Sequence, residues 1–399
     1  MTHRTICVLG LGYIGLPTAS FLATKGYEVL GVDIAPGVVE TINRAEIHIR
    51  EPDLDILVKS AVQSGRLRAQ VEPAPADVFI IAVPTPLRED KDADLSAVRS
   101  AVAAIAPHVR PGNIVVLEST SPVGTTEHLV AGGLRLAGVD ISEIHVAHCP
   151  ERVLPGRILV ELIQNDRIVG GVDEAATAAA AAFYREFVNG EVLETTAATA
   201  ELAKLAENTY RDVNIALANE LSMISDRFDV DVFELIGLAN RHPRVDILRP
   251  GPGVGGHCIA VDPWFIVSQA REEARLIRTA REVNDRKPDW VLAKVRQKAA
   301  RFRRPAIACL GLAFKADVDD LRESPALHIV RALRAADLGD LLVVEPNLRH
   351  CEEFDLVPLE AAVERADIVL LLVDHRAFRR LKPAKLQEKV LIDTRGMWR

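Results

Sequence analysis

The stretch Gly10-Leu11-Gly12-Tyr13-Ile14-Gly15 limits what this chain can fold into more than any other. It follows the apolar run Thr5-Ile6-Cys7-Val8-Leu9 and opens a helical pattern. A glycine-rich turn between a strand and a helix starts a βαβ unit, and such units stack into a parallel sheet covered by helices. Strand signals at 5–9, 28–32, 78–83 and 114–117 alternate with helical stretches, as that plan requires. The last hundred residues repeat it. Apolar runs at 306–310, 341–344, 368–373 and 390–392 are each followed by polar or turn residues, the signature of buried parallel strands.

Between the two ends the character changes. Residues 197–229 lack proline and glycine and place Leu202, Leu205, Val213, Leu217, Leu221 and Ile224 at helical spacing, which predicts one long helix. A second helical stretch is expected from 262 to about 283. The expected fold is therefore α/β, with two Rossmann-like doubly wound parallel-sheet domains joined by a central helical layer. The boundaries fall at 1–196, 197–298 and 299–399, and 399 residues suit two or three domains. The helical layer is also a plausible surface for a homodimer.

Composition excludes several classes. The net charge of −8 and the lack of a Lys/Arg block argue against a nucleic-acid partner. No apolar run approaches the ~18 residues of a membrane span, and no leader pattern precedes the first strand. Five scattered cysteines make no disulfide framework. A cytoplasmic protein without a metal site is expected.

Asp33 ends the second strand at about the twenty-residue spacing of a dinucleotide fingerprint. Gly10, Gly12 and Gly15, with Tyr13 and Ile14 between them, let a pyrophosphate approach a helix N-terminus. Asp33 accepts from a ribose 2′-OH and repels a 2′-phosphate, which favours NAD over NADP. The competing reading is a degenerate domain without cofactor. Loops at strand carboxyl ends offer Thr85, Thr120 and Thr126. Taken alone, each threonine reads first as a helix cap.

The chemistry points to Gly251-Pro252-Gly253-Val254-Gly255-Gly256-His257-Cys258. Four glycines clear side chains from around a thiol, which leaves room for a bulky ligand. Asp262 is the candidate cap of the following helix, and a thiol near a helix N-terminus is more often thiolate. A structural turn with a buried cysteine is the plainer alternative. On the long helix, Lys204, Asn208 and Arg211 share one face. A solvated polar face is the plain reading. Beside a thiol, Lys and Asn suit general-base and oxyanion work.

These motifs, with Val83-Pro84-Thr85-Pro86, Cys149-Pro150-Glu151-Arg152 and Phe314-Lys315…Asp320-Leu321-Arg322-Glu323-Ser324-Pro325, resemble the UDP-glucose/GDP-mannose dehydrogenase family in order and over nearly the whole chain. Within it, Arg152-Val153-Leu154-Pro155-Gly156, Asn240-Arg241-His242-Pro243-Arg244-Val245 and the ending Asp393-Thr394-Arg395-Gly396-Met397-Trp398 resemble the branch acting on UDP-N-acetyl-D-mannosamine. The resemblance implies oxidation of a UDP-sugar at C6 to a uronate by two NAD⁺ and water, through a cysteine thioester, in surface-polysaccharide precursor synthesis.

It further implies Cys258 as nucleophile, Lys204 as acid/base and Asn208 as oxyanion donor. Thr120 and Asp262 would hold a water, and Glu151 would be a base for hydrolysis. Arg322 would reach NAD, while Phe314, Lys315 and Arg395 face UDP. Arg152, Val153, Arg211, His242, Arg244 and Gly255 would line the sugar nucleotide, with His242 or Arg244 serving a neighbouring subunit. Relatives often carry Lys in place of Arg395, which tunes rather than removes the contact. The chain is also short around 132–141 and 301–305. Alternative substrates are UDP-N-acetyl-D-glucosamine and UDP-glucose. A two-electron hydroxyacid-type dehydrogenase would lack Cys258 and the second α/β domain. A non-catalytic NAD sensor would not need Lys204, Asn208 and Cys258 together.

Overall fold

All-apolar runs bury both faces of a strand, so they take the centre of a helix-covered sheet. In the computed structural model, which describes residues 4–49, 51–154 and 156–398, they do so in each of two units, Met1–Ala206 and Glu207–Arg399. Unit one holds β1 (Thr5–Leu9), β2 (Glu28–Val32), β3 (Leu67–Gln70), β4 (Val78–Ile81), β5 (Ile114–Leu117), β6 (His145–His148), β7 (Arg167–Gly171) and β8 (Val192–Thr196). Their spatial order is β3-β2-β1-β4-β5-β6-β7-β8. The first six follow the dinucleotide-binding order, whose switch point lies between β1 and β4. There Cys7 pairs with Leu30 on one side and Phe79 on the other.

The sheet is not parallel throughout. β7 meets β6 antiparallel through only two residue pairs, and β8 runs parallel to β7. The segment between β6 and β7 holds one short helix, Ile158–Gln164, and returns the chain alongside β6 in the opposite sense. Strands β3, β6, β7 and β8 escaped the sequence reading: polar residues interrupt LRAQ, HVAH and VLETT, and RIVGG opens on an arginine and ends in two glycines.

Unit two holds a four-stranded parallel sheet of order β10-β9-β11-β12. Its strands are β9 (Ala306–Leu310), β10 (Asp340–Val344), β11 (Ile368–Leu371) and β12 (Val390–Asp393). The helices that matter for the site are α1 (Gly15–Thr24), α2 (Ala197–Arg227), α3 (Val232–Ala239), α4 (Asp262–Gln269), α5 (Arg275–Ala299) and α6 (Pro325–Ala335). The long helix ends two residues earlier than its apolar pattern suggested.

The second expected stretch is two helices. The exposed run Arg271-Glu272-Glu273 offers no apolar residue to hold a turn on the core, and the helix breaks there. α5 then continues beyond 283 and through Pro288. A proline inside a helix normally ends it. Here Pro288 is buried, and packing holds the ring in place. Among the described residues no helix is long and apolar enough to cross a membrane, and no cluster of His, Cys, Asp or Glu is arranged to hold a metal ion.

Candidate active site

In unit one the fingerprint glycines divide the labour. Gly10 takes φ +87°, and a Cβ there would lie 2.5 Å from the Ala82 carbonyl oxygen. A Cβ on Gly15 would lie 1.7 Å from the Gly10 oxygen. These two allow the turn and the close packing of α1. Around Gly12 a Cβ would meet nothing within 4 Å, so this face is open to a ligand. Tyr13 and Ile14 are half-buried at the start of α1. Asp33, also half-buried, accepts from the Leu11 N–H at 3.0 Å and the Ala35 N–H at 3.0 Å. The acid is thus fixed to the glycine loop while keeping a solvent-facing edge.

The loops after β4 and β5 are tied together. Thr85 Oγ1 donates to the Thr120 carbonyl at 2.6 Å, and Ser119 Oγ to that of Val83 at 2.7 Å. Thr126 is fully buried, and its N–H and hydroxyl both donate to Glu201 on α2, at 2.8 and 2.6 Å. Glu201 also accepts from the Gly124 N–H at 2.6 Å. Burial raises its pKa against the pull of these donors. Sequence reasoning missed Glu201, because one acid in a polar-patterned helix carries no signal.

Beneath these loops lies a buried polar cluster. Glu151 accepts from the Arg152 N–H at 2.6 Å and from Arg167 Nη1 at 2.8 Å. Arg167 lies over the Tyr184 ring, whose hydroxyl donates to Glu118 at 2.6 Å. Burial pushes Glu118 up to about 7, opposed by Arg167 and reinforced by Glu151. Burial likewise pushes the Cys149 thiol up to about 12 and lowers His148 to about 3. Arg152 also donates to the Asp166 carbonyl at 3.1 Å, and Val153 beside it is half-buried. Lys204 is half-buried on α2.

In unit two Cys258 is exposed, whereas the other four cysteines of the chain are buried. Its carbonyl accepts from the Val261 and Asp262 N–H groups at 3.0 and 2.9 Å, which folds the loop back on the start of α4. Asp262 is not the cap of that helix, as its position had suggested. Val261 occupies the cap and Asp262 the first helical position. The reason is a stronger claim on its carboxylate: Asn208 Nδ2 donates to Asp262 at 2.6 Å, both residues buried. Asn208, Asp262 and the Cys258 backbone therefore form one connected group. Arg211, one turn further along α2, is exposed.

The glycines before Cys258 also admit close neighbours within the protein. A Cβ on Gly255 would lie 2.4 Å from the Glu323 carbonyl oxygen, and one on Gly256 (φ +82°) 2.8 Å from the Phe314 ring. The cysteine loop is thus seated on the Phe314–Pro325 motif. His257 has a solvent-facing edge, but partial desolvation of its ring and the Arg322 charge lower its pKa against the pull of Asp320.

Comparison with known proteins decides what this constellation belongs to. The NAD binding domain of the UDP-glucose/GDP-mannose dehydrogenase family matches residues 4–188, its central domain 198–286, and its UDP binding domain 308–399. The chain belongs to the UDP-glucose/GDP-mannose dehydrogenase family. An NDP-N-acetyl-D-galactosaminuronic acid dehydrogenase of Ralstonia solanacearum is 59% identical over 408 residues, 99% of this chain and 96% of that protein. A UDP-N-acetyl-D-mannosamine dehydrogenase of Yersinia pestis is 52% identical over 421 residues, with both chains covered in full. The solved UDP-D-ManNAc dehydrogenase of Pyrococcus horikoshii superposes with a TM-score of 0.90 at 42% identity, covering 98% of this chain and 96% of that one.

NAD is accordingly the cofactor of this dehydrogenase, and it supplies the hydride acceptor. The open face at Gly12 and the edge of Asp33 suit its pyrophosphate and ribose. In the UDP binding domain of the family, Lys315 is exposed beside Phe314. Arg322 closes on Asp320 through Nε and Nη2. Arg395 donates to Asp374 at 2.9 Å and to the Pro250 carbonyl at 3.1 Å, so part of its fork is engaged within the protein. His242 and Arg244 stand exposed beyond α3, close to each other. The loop behind them is held by Asn214, which bonds the Asp246 carbonyl and the Leu248 N–H at 2.7 and 3.0 Å.

Proposed function

We propose that this dehydrogenase oxidises the C6 hydroxyl of UDP-N-acetyl-D-mannosamine to the carboxylate, in the cytoplasm, as a step toward surface-polysaccharide precursors. The observation that carries the reading is the exposed Cys258 thiol, held by its backbone to the buried Asn208–Asp262 pair. Lys204 takes the C6 hydroxyl proton, and NAD⁺, when bound, would supply the hydride acceptor for each of the two oxidations. The Cys258 thiolate adds to the aldehyde, with Asn208 donating to the oxyanion. Oxidation of the resulting thiohemiacetal would leave a thioester on Cys258. Water, held by Thr120 and Asp262, attacks its carbonyl carbon and yields its proton to Glu151. The C–S bond breaks and the thiolate is restored. Two NADH form for each uronate.

Gly10, Gly12, Tyr13, Ile14, Gly15, Asp33, Thr85, Thr126 and Arg322 serve the cofactor in this reading. Arg152, Val153, Arg211, His242, Arg244, Gly255, Phe314, Lys315 and Arg395 serve the UDP-sugar. A homodimer is supported by exposed Tyr210, Leu217 and Ile224, which recur along α2 at heptad spacing.

A galactosaminuronate product is the second reading, favoured by the 59% identical Ralstonia protein. The test is kcat/KM for UDP-N-acetyl-mannosamine, -galactosamine and -glucosamine and for UDP-glucose, with NADH yield per sugar. A site that hydrogen-bonds the acetamido group should reject UDP-glucose by ~10⁴-fold. Two NADH per sugar are expected, and Cys258→Ala should abolish the uronate. One NADH per sugar would remove the thioester route; preference for the galacto sugar would select the second reading.

A further inference from the structure

Segment 312–317 carries Phe314 and Lys315, and both of its ends are pinned by one buried pair. At the start, the Leu312 and Ala313 N–H groups donate to Glu345 Oε2 at 2.8 and 3.1 Å. At the end, the Asp317 N–H donates to His375 Nδ1 at 2.9 Å. His375 Nε2 meets the same Glu345 oxygen at 3.0 Å, and both side chains are fully buried. Because Nδ1 accepts from a backbone N–H, the ring proton is assigned to Nε2, which donates to Glu345. Asn347 Nδ2 also lies 2.9 Å from Nδ1. Asp317 has φ +62°, and its carboxylate accepts from the Arg376 N–H and Nε at 2.9 and 2.8 Å. A strained residue held from two sides marks an over-determined position.

We infer that His375, backed by Glu345, is a positioning residue for the uridine diphosphate: it holds segment 312–317 so that Phe314 and Lys315 are presented before the substrate arrives. This rests on the reading that Phe314 and Lys315 hold UDP. A loop ordered in advance avoids the ordering cost on binding, so releasing one end should weaken affinity rather than slow the chemistry.

Two variants separate positioning from stability. His375→Gln places an amide donor where Nε2 stood, keeps the bond to Glu345 and loses the acceptor for Asp317. His375→Asn places a carbonyl where Nδ1 stood, keeps that acceptor and loses the donor to Glu345. UDP affinity is read by calorimetry, KM and kcat with the UDP-sugar, and melting temperature alongside. His375→Gln should raise the UDP Kd and the KM about tenfold and leave kcat within about twofold. His375→Asn should recover most of the affinity while melting lower. Wild-type UDP affinity in His375→Gln, or affinity that follows melting temperature across both variants, overturns the proposal. Lys315→Ala tests the underlying reading. If it binds UDP like wild type, the placement of UDP on this segment fails and the proposal with it. If it weakens UDP while His375→Gln does not, the positioning role alone is wrong.

Discussion

The two α/β units build the same corner and use it differently. In unit one, Gly10 leaves β1 with φ +87°, its N–H bonds the Val32 carbonyl at 2.8 Å, and Asp33 accepts from Leu11 and Ala35. In unit two, Gly311 leaves β9 with φ +96°, its N–H bonds the Val344 carbonyl at 2.8 Å, and Glu345 accepts from Leu312 and Asn347. The correspondence runs atom for atom through the first strand, the glycine and the acid of the second strand. It then ends. α1 begins at Gly15, five residues after its glycine, whereas Phe314, Lys315 and the Asp320–Ser324 turn come before α6 begins at Pro325. Asp33 keeps an exposed edge; Glu345 is sealed under His375. The acid that can read a ribose in one unit is, in the other, an internal anchor for a loop. A shared corner therefore does not make a shared ligand.

The comparison breaks most severely at Glu345. Replacing it by Ala leaves the buried Leu312 and Ala313 N–H groups and the half-buried Asn347 N–H without an acceptor and His375 without its partner. Removing one member of a buried polar network costs about 3–5 kcal/mol. Glu345→Ala should lower the melting temperature by many degrees or fail to fold, measured by thermal unfolding. If it melts like wild type, the anchor reading is wrong. Asp33→Ala should cost far less stability, since its site is half open to water. It should instead weaken NAD⁺ by about tenfold or more and reduce discrimination against NADP⁺. A wild type that uses both cofactors equally would contradict the role of this acid.

Gly12→Ala sharpens the same contrast. A Cβ has free space there, so the variant should fold with wild-type stability and still bind NAD⁺ more weakly, because the added methyl enters the ligand's side of the turn. Gly10→Ala, which would clash with Ala82, should lose stability first.

The part of this arrangement legible in the sequence was the part with local pattern. The glycine fingerprint, the apolar strands and the long helix announced the two α/β units, and Asp33 was found by its distance from Gly15. Glu345 could have been found the same way, as the polar residue closing the second strand after Gly311. Its partner His375 lies thirty residues on, after a different strand, and no periodicity links them. Glu118, Glu201 and Arg167 were invisible for the same reason: each matters through a contact made across the fold. The break between α4 and α5 and the passage through Pro288 depend on packing, which overrides local propensity. The cysteine-loop glycines were noticed, but the protein neighbours that pack against them, Glu323, Pro325 and Phe314 among them, were not, because those contacts come from a distant part of the sequence.

The smallest predicted effect compares two buried carboxylates. Burial raises the pKa of both, and the donors decide the outcome. Glu345 receives five, including the His375 ring and three backbone N–H groups, and its pKa ends below the usual 4.5. Glu118 receives the Tyr184 hydroxyl, shares Arg167 with Glu151, and ends near 7. The two must then affect stability with opposite signs. Glu345 contributes stability that is present above its unfolded value of 4.5 and is lost as pH falls through its lower folded value. Glu118 contributes stability that is full below 4.5 and is lost as pH rises through about 7. A glutamine in its place cannot ionise, so Glu118→Gln should gain on wild type between pH 4.5 and 7 and hold that gain above. Glu345→Gln should be weaker than wild type at neutral pH, with a deficit that shrinks below pH 4.5. Urea unfolding from pH 4 to 8 reads both. A Glu118→Gln difference that stays flat with pH would mean that Glu118 is already ionised in the fold, with Arg167 serving both acids at once.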